Sequence, residues 1–221
     1  QALQIRENIN NKKGISRSYN SIAAIHDVLG SHKKALSHYQ ISLKTAEEIN
    51  YKKSIIRARI NISNLYNTTG EFEKALDTNK LCIILCKKSN NYPLLAYSYN
   101  LAGAIYNNLS DYDESIKNLK KSLKIKRELN EPEGIASALK SIGVVYYKKT
   151  QFNQAMIYHK KSLKQRQLID YPAGISESLM NIADTYRKKR EYKKAIDNYK
   201  KSLHIMDTIK AQFKASTILY R

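Results

Sequence analysis

Glycine (7) and proline (3) are scarce in this 221-residue chain, and cysteine (2) is scarcer still. So few glycines and prolines leave little material for disordered linkers and favour long helices. Two cysteines make no disulfide framework, which fits a reducing compartment such as the cytoplasm. No stretch approaches the ~20 apolar residues that a membrane span requires. The opening QALQIRENINNKK contains no signal-peptide core. Acidic residues number 19 against 39 basic ones, a formal charge of +20. A charge that large needs a partner or serves solubility. With 42% hydrophobic residues, the chain can bury a sizeable core.

Catalytic and metal-binding signatures are missing too. There is no Gly-rich phosphate loop, no H-E-x-x-H pair, and no histidine set beside a serine or cysteine nucleophile. His26 and His32 stand where other repeats carry aromatics, His159 stands where Tyr199 does, and His204 lies on a lysine-rich face. Cys82 and Cys86, four apart, could form half of a metal site. Neither has a histidine near it in sequence or in repeat register, so both are expected to be buried and structural. The sequence predicts no enzyme, no cofactor and no metal.

What is present is a period. Residues from Gly174, GISESLMNIADTYRKKREYKKAIDNYKKSLHIMDTIK, align without a gap on those from Gly134, forty residues earlier. Apolar residues recur at spacings of three and four in each half, which makes two amphipathic helices. A short polar join folds them into an antiparallel hairpin. Neither helix can bury its apolar stripe alone, so hairpins must stack. Full units span 14–53, 54–93, 94–133, 134–173 and 174–213. Residues 1–13 match the end of a unit and 214–221 the start of one. The expectation is a single array over 1–221, cut mid-unit at both ends as a fragment of a longer protein.

The aligned columns have physical roles. Small residues fill three of them: Ala23, Ser63, Gly103, Gly143, Ala183; then Ala35, Ala75, Ser115, Ala155, Ala195; then Ser42, Cys82, Ser122, Ser162, Ser202. These mark close helix approach. His26, Tyr66, Tyr106, Tyr146 and Tyr186 should fill the space beside the first column, with Tyr146 buried. Asn10, Asn50, Asn90, Asn130 and Asp170 end the second helices, where Asn tolerates the left-handed conformation. Pro93, Pro132 and Pro172 follow, where a helix restarts. Helices are predicted near 15–29, 33–50, 54–69, 73–90, 94–109, 113–130, 134–149, 153–170, 174–189 and 193–210.

These columns resemble the tetratricopeptide repeat, W-x2-L-G-x2-Y followed by A-x3-F. Leu179, Ile182, Ala183 and Tyr186 with Ala195 and Tyr199 match it closely, as do Leu139, Ile142, Gly143 and Tyr146 with Ala155. The second unit departs at Arg59 and Asn79, and the third at Ala102 and Ser115. The forty-residue length is similar to the longer-helix subclass of kinesin light chains and bacterial peptide-binding regulators. The texture also resembles input regions of bacterial sensor kinases, which would allow a periplasmic location. The resemblance implies an all-α, right-handed superhelical stack of helical hairpins.

It also implies a ligand groove on the first helices, at Arg17, Asn20, Arg57, Asn61, Asn64, Tyr97, Asn100, Asn107, Lys140, Tyr147, Asn181, Asp184 and Arg187. Amides dominate this row, and an Asn side chain complements a peptide backbone unit. The expected partner is a protein or an extended peptide, neutral to acidic, bound by the recruitment or sensing region of a signalling protein. A clamp for a terminal carboxylate is not reproduced, because Lys140 is accompanied by Val144. One alternative is self-association through the end units, giving a homo-oligomer. Another is a nucleic-acid surface, since the last two full units carry +6 and +4, around Lys148, Lys149, Arg187, Lys188, Lys189 and Arg190. No recognition motif accompanies that charge.

Overall fold

A computed structural model describes the backbone of residues 2–219 and the side chains of residues 3–210. Among them it contains eleven helices and no strand. Contacts divide the chain into two compact units, residues 1–111 and 112–221. The first holds α1 (Ala2–Asn8), α2 (Lys12–Val28), α3 (His32–Glu48), α4 (Lys52–Thr68), α5 (Phe72–Lys88) and α6 (Tyr92–Asn108). The second holds α7 (Tyr112–Glu128), α8 (Pro132–Lys148), α9 (Phe152–Leu168), α10 (Pro172–Lys188) and α11 (Tyr192–Leu219).

Helices α2 to α10 are each 17 residues long. A 17-residue helix and a three-residue joint, taken twice, make the forty-residue period, so every copy starts in phase. Helices begin one to three residues earlier than the apolar pattern predicts. Their first turn lies outside the apolar stripe, and in two of them a side-chain cap fixes it: Asn11 accepts from Gly14 N, and Asn91 from Leu94 N. Pro132 and Pro172 occupy the first position of their helices, where a missing N–H costs nothing.

Each joint turns through one left-handed residue. Asn10, Asn50, Asn90, Asn130 and Asp170 lie at φ 46–51°, and Gly30 and Gly70 at 71° and 83°. At Asn50 the geometry is a Schellman closure, with Asn50 N bonded to Glu47 O and Tyr51 N to Ala46 O. The same column reaches Lys210, which has no such tolerance for φ > 0. Correspondingly, α11 continues through Leu219 without the turn that the repeat match places before 214. The side chains of 211–221, including the Leu219 and Tyr220 expected to open a further helix, lie outside the described residues.

Packing follows the columns. All residues of the three small columns are buried. Where small residues meet, the backbones come close enough for side chains to bond across the hairpin. Ser42 Oγ donates to Ser16 O at 2.7 Å, Ser202 Oγ to Ser176 O at 3.0 Å, and Ser162 Oγ to Ala136 O at 2.8 Å. The core of the first unit gathers Ala23, Ala35, Tyr39, Ile62 and Leu65; that of the second gathers Ile116, Leu119, Leu123, Leu139, Ile142 and Val145. Tyr146 is half-buried rather than buried. It stacks on Tyr158 at 5.4 Å, while His159 takes the space over Gly143.

Candidate functional site

Within each unit the first helices touch one another: α2 meets α4, α4 meets α6, and α8 meets α10. Among the described residues the second helices α3 and α5 do not meet, nor do α7 and α9, or α9 and α11. Each stack therefore closes on its first-helix side, the side where the expected groove residues lie.

In the first unit this face carries amides bonded between neighbouring helices. Asn61 Nδ2 donates to Asn20 Oδ1 at 3.0 Å, and Asn108 Nδ2 to Asn67 Oδ1 at 3.0 Å. The sequence suggests free amides; the structure pairs them, because a forty-one-residue offset places them opposite one another on adjacent first helices. The pairing is half-complete. Asn20 keeps its N–H2 group and Asn61 its carbonyl oxygen, and neither atom is buried without a partner. Asn64 is half-buried and Tyr97 exposed. Asn100 and Asn107 differ from expectation, because their Oδ1 atoms are turned inward and buried without a donor.

The cations of the two units are treated differently. Arg17 Nη2 bonds the Tyr51 hydroxyl at 2.7 Å and lies 5.6 Å from that ring's centroid; Lys13 Nζ lies 4.7 Å from it. The hydrogen bond from Arg17, aided by the nearby lysines, holds the Tyr51 hydroxyl below the usual tyrosine range. Among the described residues no carboxylate pairs with Lys13, Arg17, Lys53 or Arg57.

In the second unit Lys140 Nζ meets Glu177 at 2.9 Å, and Glu177 also accepts from Arg166 at 2.7 Å. Burial opposes the Glu177 charge, but Lys140 and Arg166 outweigh it and hold its carboxyl below the usual range. Asp184 accepts from Tyr199 Oη at 2.6 Å and from Arg187 at 3.2 Å. Tyr147 packs edge-on to Phe152, and burial, reinforced by Asp184, raises its hydroxyl pKa. Asn181 is half-buried. Lys140 and Arg187, two cations of the expected groove row, are thus already ion-paired. The basic cluster of this unit is partly neutralised as well: Lys149 pairs with Asp113, and Lys189 with Glu191.

Residues outside the groove are structural in their contacts. Cys82 and Cys86 are buried and free, and burial pushes the Cys82 thiol up to about 12, far from a reactive thiolate. Arg166, 5% exposed, bonds Gly174 O at 2.6 Å and Ser178 Oγ at 3.0 Å, an inter-hairpin tie also formed by Arg6 with Gly14 and Ser18. The periodic column Arg6, Ala46, Cys86, Lys126, Arg166, Met206 mixes unlike chemistry, which hides this role in the sequence. Asn79, in a column that otherwise holds larger side chains, is buried and bonds only Ser98 O, at 2.9 Å. Among the described residues there is no group of His, Cys, Asp and Glu able to hold a metal, and no helix long and apolar enough to cross a membrane.

Stacked antiparallel helix pairs with a fixed period define an all-α repeat protein of the solenoid class. Tetratricopeptide repeat family models match residues 94–168 and 176–205. Over these residues the chain carries tetratricopeptide repeats. Solved structures share its fold at low identity. BtubC (BKLC) from P. vanneervenii superposes with a TM-score of 0.83 at 18% identity, covering 95% of this chain and 88% of that one. A signal transduction ATPase with a tetratricopeptide repeat sensor, PH0952 from Pyrococcus horikoshii, gives 0.80 at 18%, covering 93% and 31%. A Rap protein complexed with competence and sporulation factor gives 0.72 at 14%, covering 88% and 54%. The chain thus spans about half of the Rap protein and a third of the ATPase. No curated protein matches the sequence. Tetratricopeptide repeats ordinarily form non-catalytic scaffolds for protein interaction.

Proposed function

We propose that this chain binds an extended peptide segment along the first-helix face of residues 1–111, as the recruitment or sensing part of a larger signalling protein. The supporting observation is the Asn20–Asn61 pair. It fixes both side chains and leaves one amide donor and one acceptor, the complement of a peptide unit. Backbone bonding would tolerate many sequences, while Arg17 and Arg57 would favour an acidic segment. The ATPase that carries a tetratricopeptide repeat as its sensor, and the Rap protein solved with a bound factor, support the wider role. Titration of the 221-residue chain with neutral and acidic peptide libraries tests it. Asn20→Ala with Asn61→Ala should weaken binding by about 1–3 kcal/mol. Both partners of the bond are removed together, so the free protein keeps no orphan and the loss reports on the complex. Unchanged affinity would remove the groove reading.

Self-association is a second reading, favoured by the outer face of α11. Ile196 and Leu203 are 53% and 60% exposed, whereas Ile116 and Leu123, their equivalents in an earlier copy, are 7% and 6% exposed. A second copy covering this face predicts a dimer whose sedimentation reverts to monomer in Ile196→Lys with Leu203→Lys. A monomer at every concentration excludes it.

A further inference from the structure

Between α2 and α4 of the first unit lies a cavity of about 230 Å³, lined by Arg17, Lys53, Arg57, Tyr51, Asn20 and Ser54 among others. Three cations converge there with hydroxyl and amide groups, and no carboxylate is among its lining residues. The next position in the Arg17–Arg57 column is Tyr97, and the last is Glu177, which neutralises Lys140. Like charges held together without a counter-charge repel one another, so the arrangement is stabilised by whatever anion enters it. Arg17 is already oriented there, its guanidinium fixed by the Tyr51 hydroxyl at 2.7 Å and the Tyr51 ring.

We propose that this cavity receives a phosphomonoester, carried as a phosphorylated side chain by the extended segment that the groove binds. The inference rests on the peptide-groove reading and assigns its partner's chemistry. A phosphoryl group brings a charge of about −1.5 to −2 and three acceptor oxygens. Two guanidinium forks and an ammonium match that set, with the Ser54 hydroxyl and Asn20 amide as further donors. A carboxylate, with one charge and two oxygens, would leave cations uncompensated. A nucleic-acid strand presents singly charged diesters at regular spacing and calls for a continuous basic track, whereas this is a single niche whose counterpart in the second unit is closed by Glu177.

The test is titration of the 221-residue chain with matched peptides carrying phosphoserine, serine or glutamate at one position, with inorganic phosphate and a single-stranded oligonucleotide as competitors. The phosphopeptide should bind about tenfold or more tighter than its serine counterpart. That preference should fade as pH drops below ~6, where the phosphate loses its second charge. Lys53→Met with Arg57→Met, both at exposed positions, should abolish the preference for phosphoserine over serine and leave the melting curve unchanged. Inorganic phosphate should compete with the phosphopeptide and not with the serine peptide. Equal binding of phosphoserine and serine peptides overturns the inference while leaving the groove reading standing. Loss of all peptide binding overturns both. Oligonucleotide binding that outcompetes the phosphopeptide and shows no step near pH ~6 also overturns it.

Discussion

His159 should make this protein acid-labile in a way that one substitution removes. The ring is 2% exposed and packed over Gly143, and its Nδ1 has no hydrogen-bond partner. Burial pulls its pKa from 6.5 down to about 4, with Asp184 opposing the shift only in part. The folded state therefore holds a neutral imidazole at a pH where the unfolded chain is already protonated. Between these two values the unfolded state binds more protons, so stability is fully present above pH 6.5 and declines as pH falls toward about 4. At about 1.4 kcal/mol per pH unit, the full loss is about 3 kcal/mol, most of it accrued by pH ~4.5. That window lies above the range where Glu71, Glu177 and Glu191 protonate, since their cationic partners lower all three pKa values. His159→Leu is the clean comparison, because Leu119 occupies the equivalent position and is 2% exposed. Urea unfolding followed by circular dichroism at pH 7.0, 5.5 and ~4.5 should show the native protein losing about 2–3 kcal/mol and the leucine variant well under half of that. The variant should also be no less stable at pH 7, since it removes a buried polar nitrogen that lacks a partner. An acid slope identical in the two proteins would refute the assignment.

Two further outcomes follow from the packing. A Cβ at Gly143 would lie 2.6 Å from His159 Cε1, so Gly143→Ala should cost about 1–3 kcal/mol in urea unfolding, the range for overpacked cores. Thr150, a β-branched residue at φ 60°, occupies the joint position that Gly30 and Gly70 fill in earlier units. Thr150→Gly should stabilise by about 0.5–1 kcal/mol, the relief of left-handed strain exceeding the added entropy of the unfolded chain; a lower melting temperature would contradict that reading of the joint.

The fold was legible in the sequence because its determinants are local or repeated. The small columns, the left-handed Asn positions and the aromatic residues that open the second helices each recur every forty residues, and all lie where the period places them. Helix starts were less legible, since a first turn outside the apolar stripe leaves no hydrophobic signal and only Asn11 and Asn91 advertise a side-chain cap. The half-burial of Tyr146 is shared by its column, since Tyr66, Tyr106 and Tyr186 are half-buried as well; the period marks an apolar position but not how far the ring is covered. For the groove, the sequence indicated which residues share a column but not which touch. Asn20–Asn61, Lys140–Glu177 and Arg17–Tyr51 pair positions from different columns, the first two from successive repeats and the third across one repeat. Column membership gives a residue's place along one helix; these contacts depend on side-chain reach between two.

That distinction explains how one scaffold can carry unlike surfaces in its two units. Residues of the three small columns are confined to Ala, Gly, Ser and Cys, since a buried column at close helix approach admits little else. The column Arg17, Arg57, Tyr97, Ser137, Glu177 has no such restriction, and it runs from cationic through neutral to anionic. Among the described residues its first two members have no carboxylate partner and lie beside a cavity, while its last pairs with a neighbouring lysine. Under the proposed anion site, selectivity would be written into one mostly exposed column, at the cost of a single buried contact, that of Glu177 with Arg166. Exchanging that column's residues between units should move the anion preference with them and leave stability within the ±0.5 kcal/mol typical of surface substitutions, apart from the cost of separating Glu177 from Arg166.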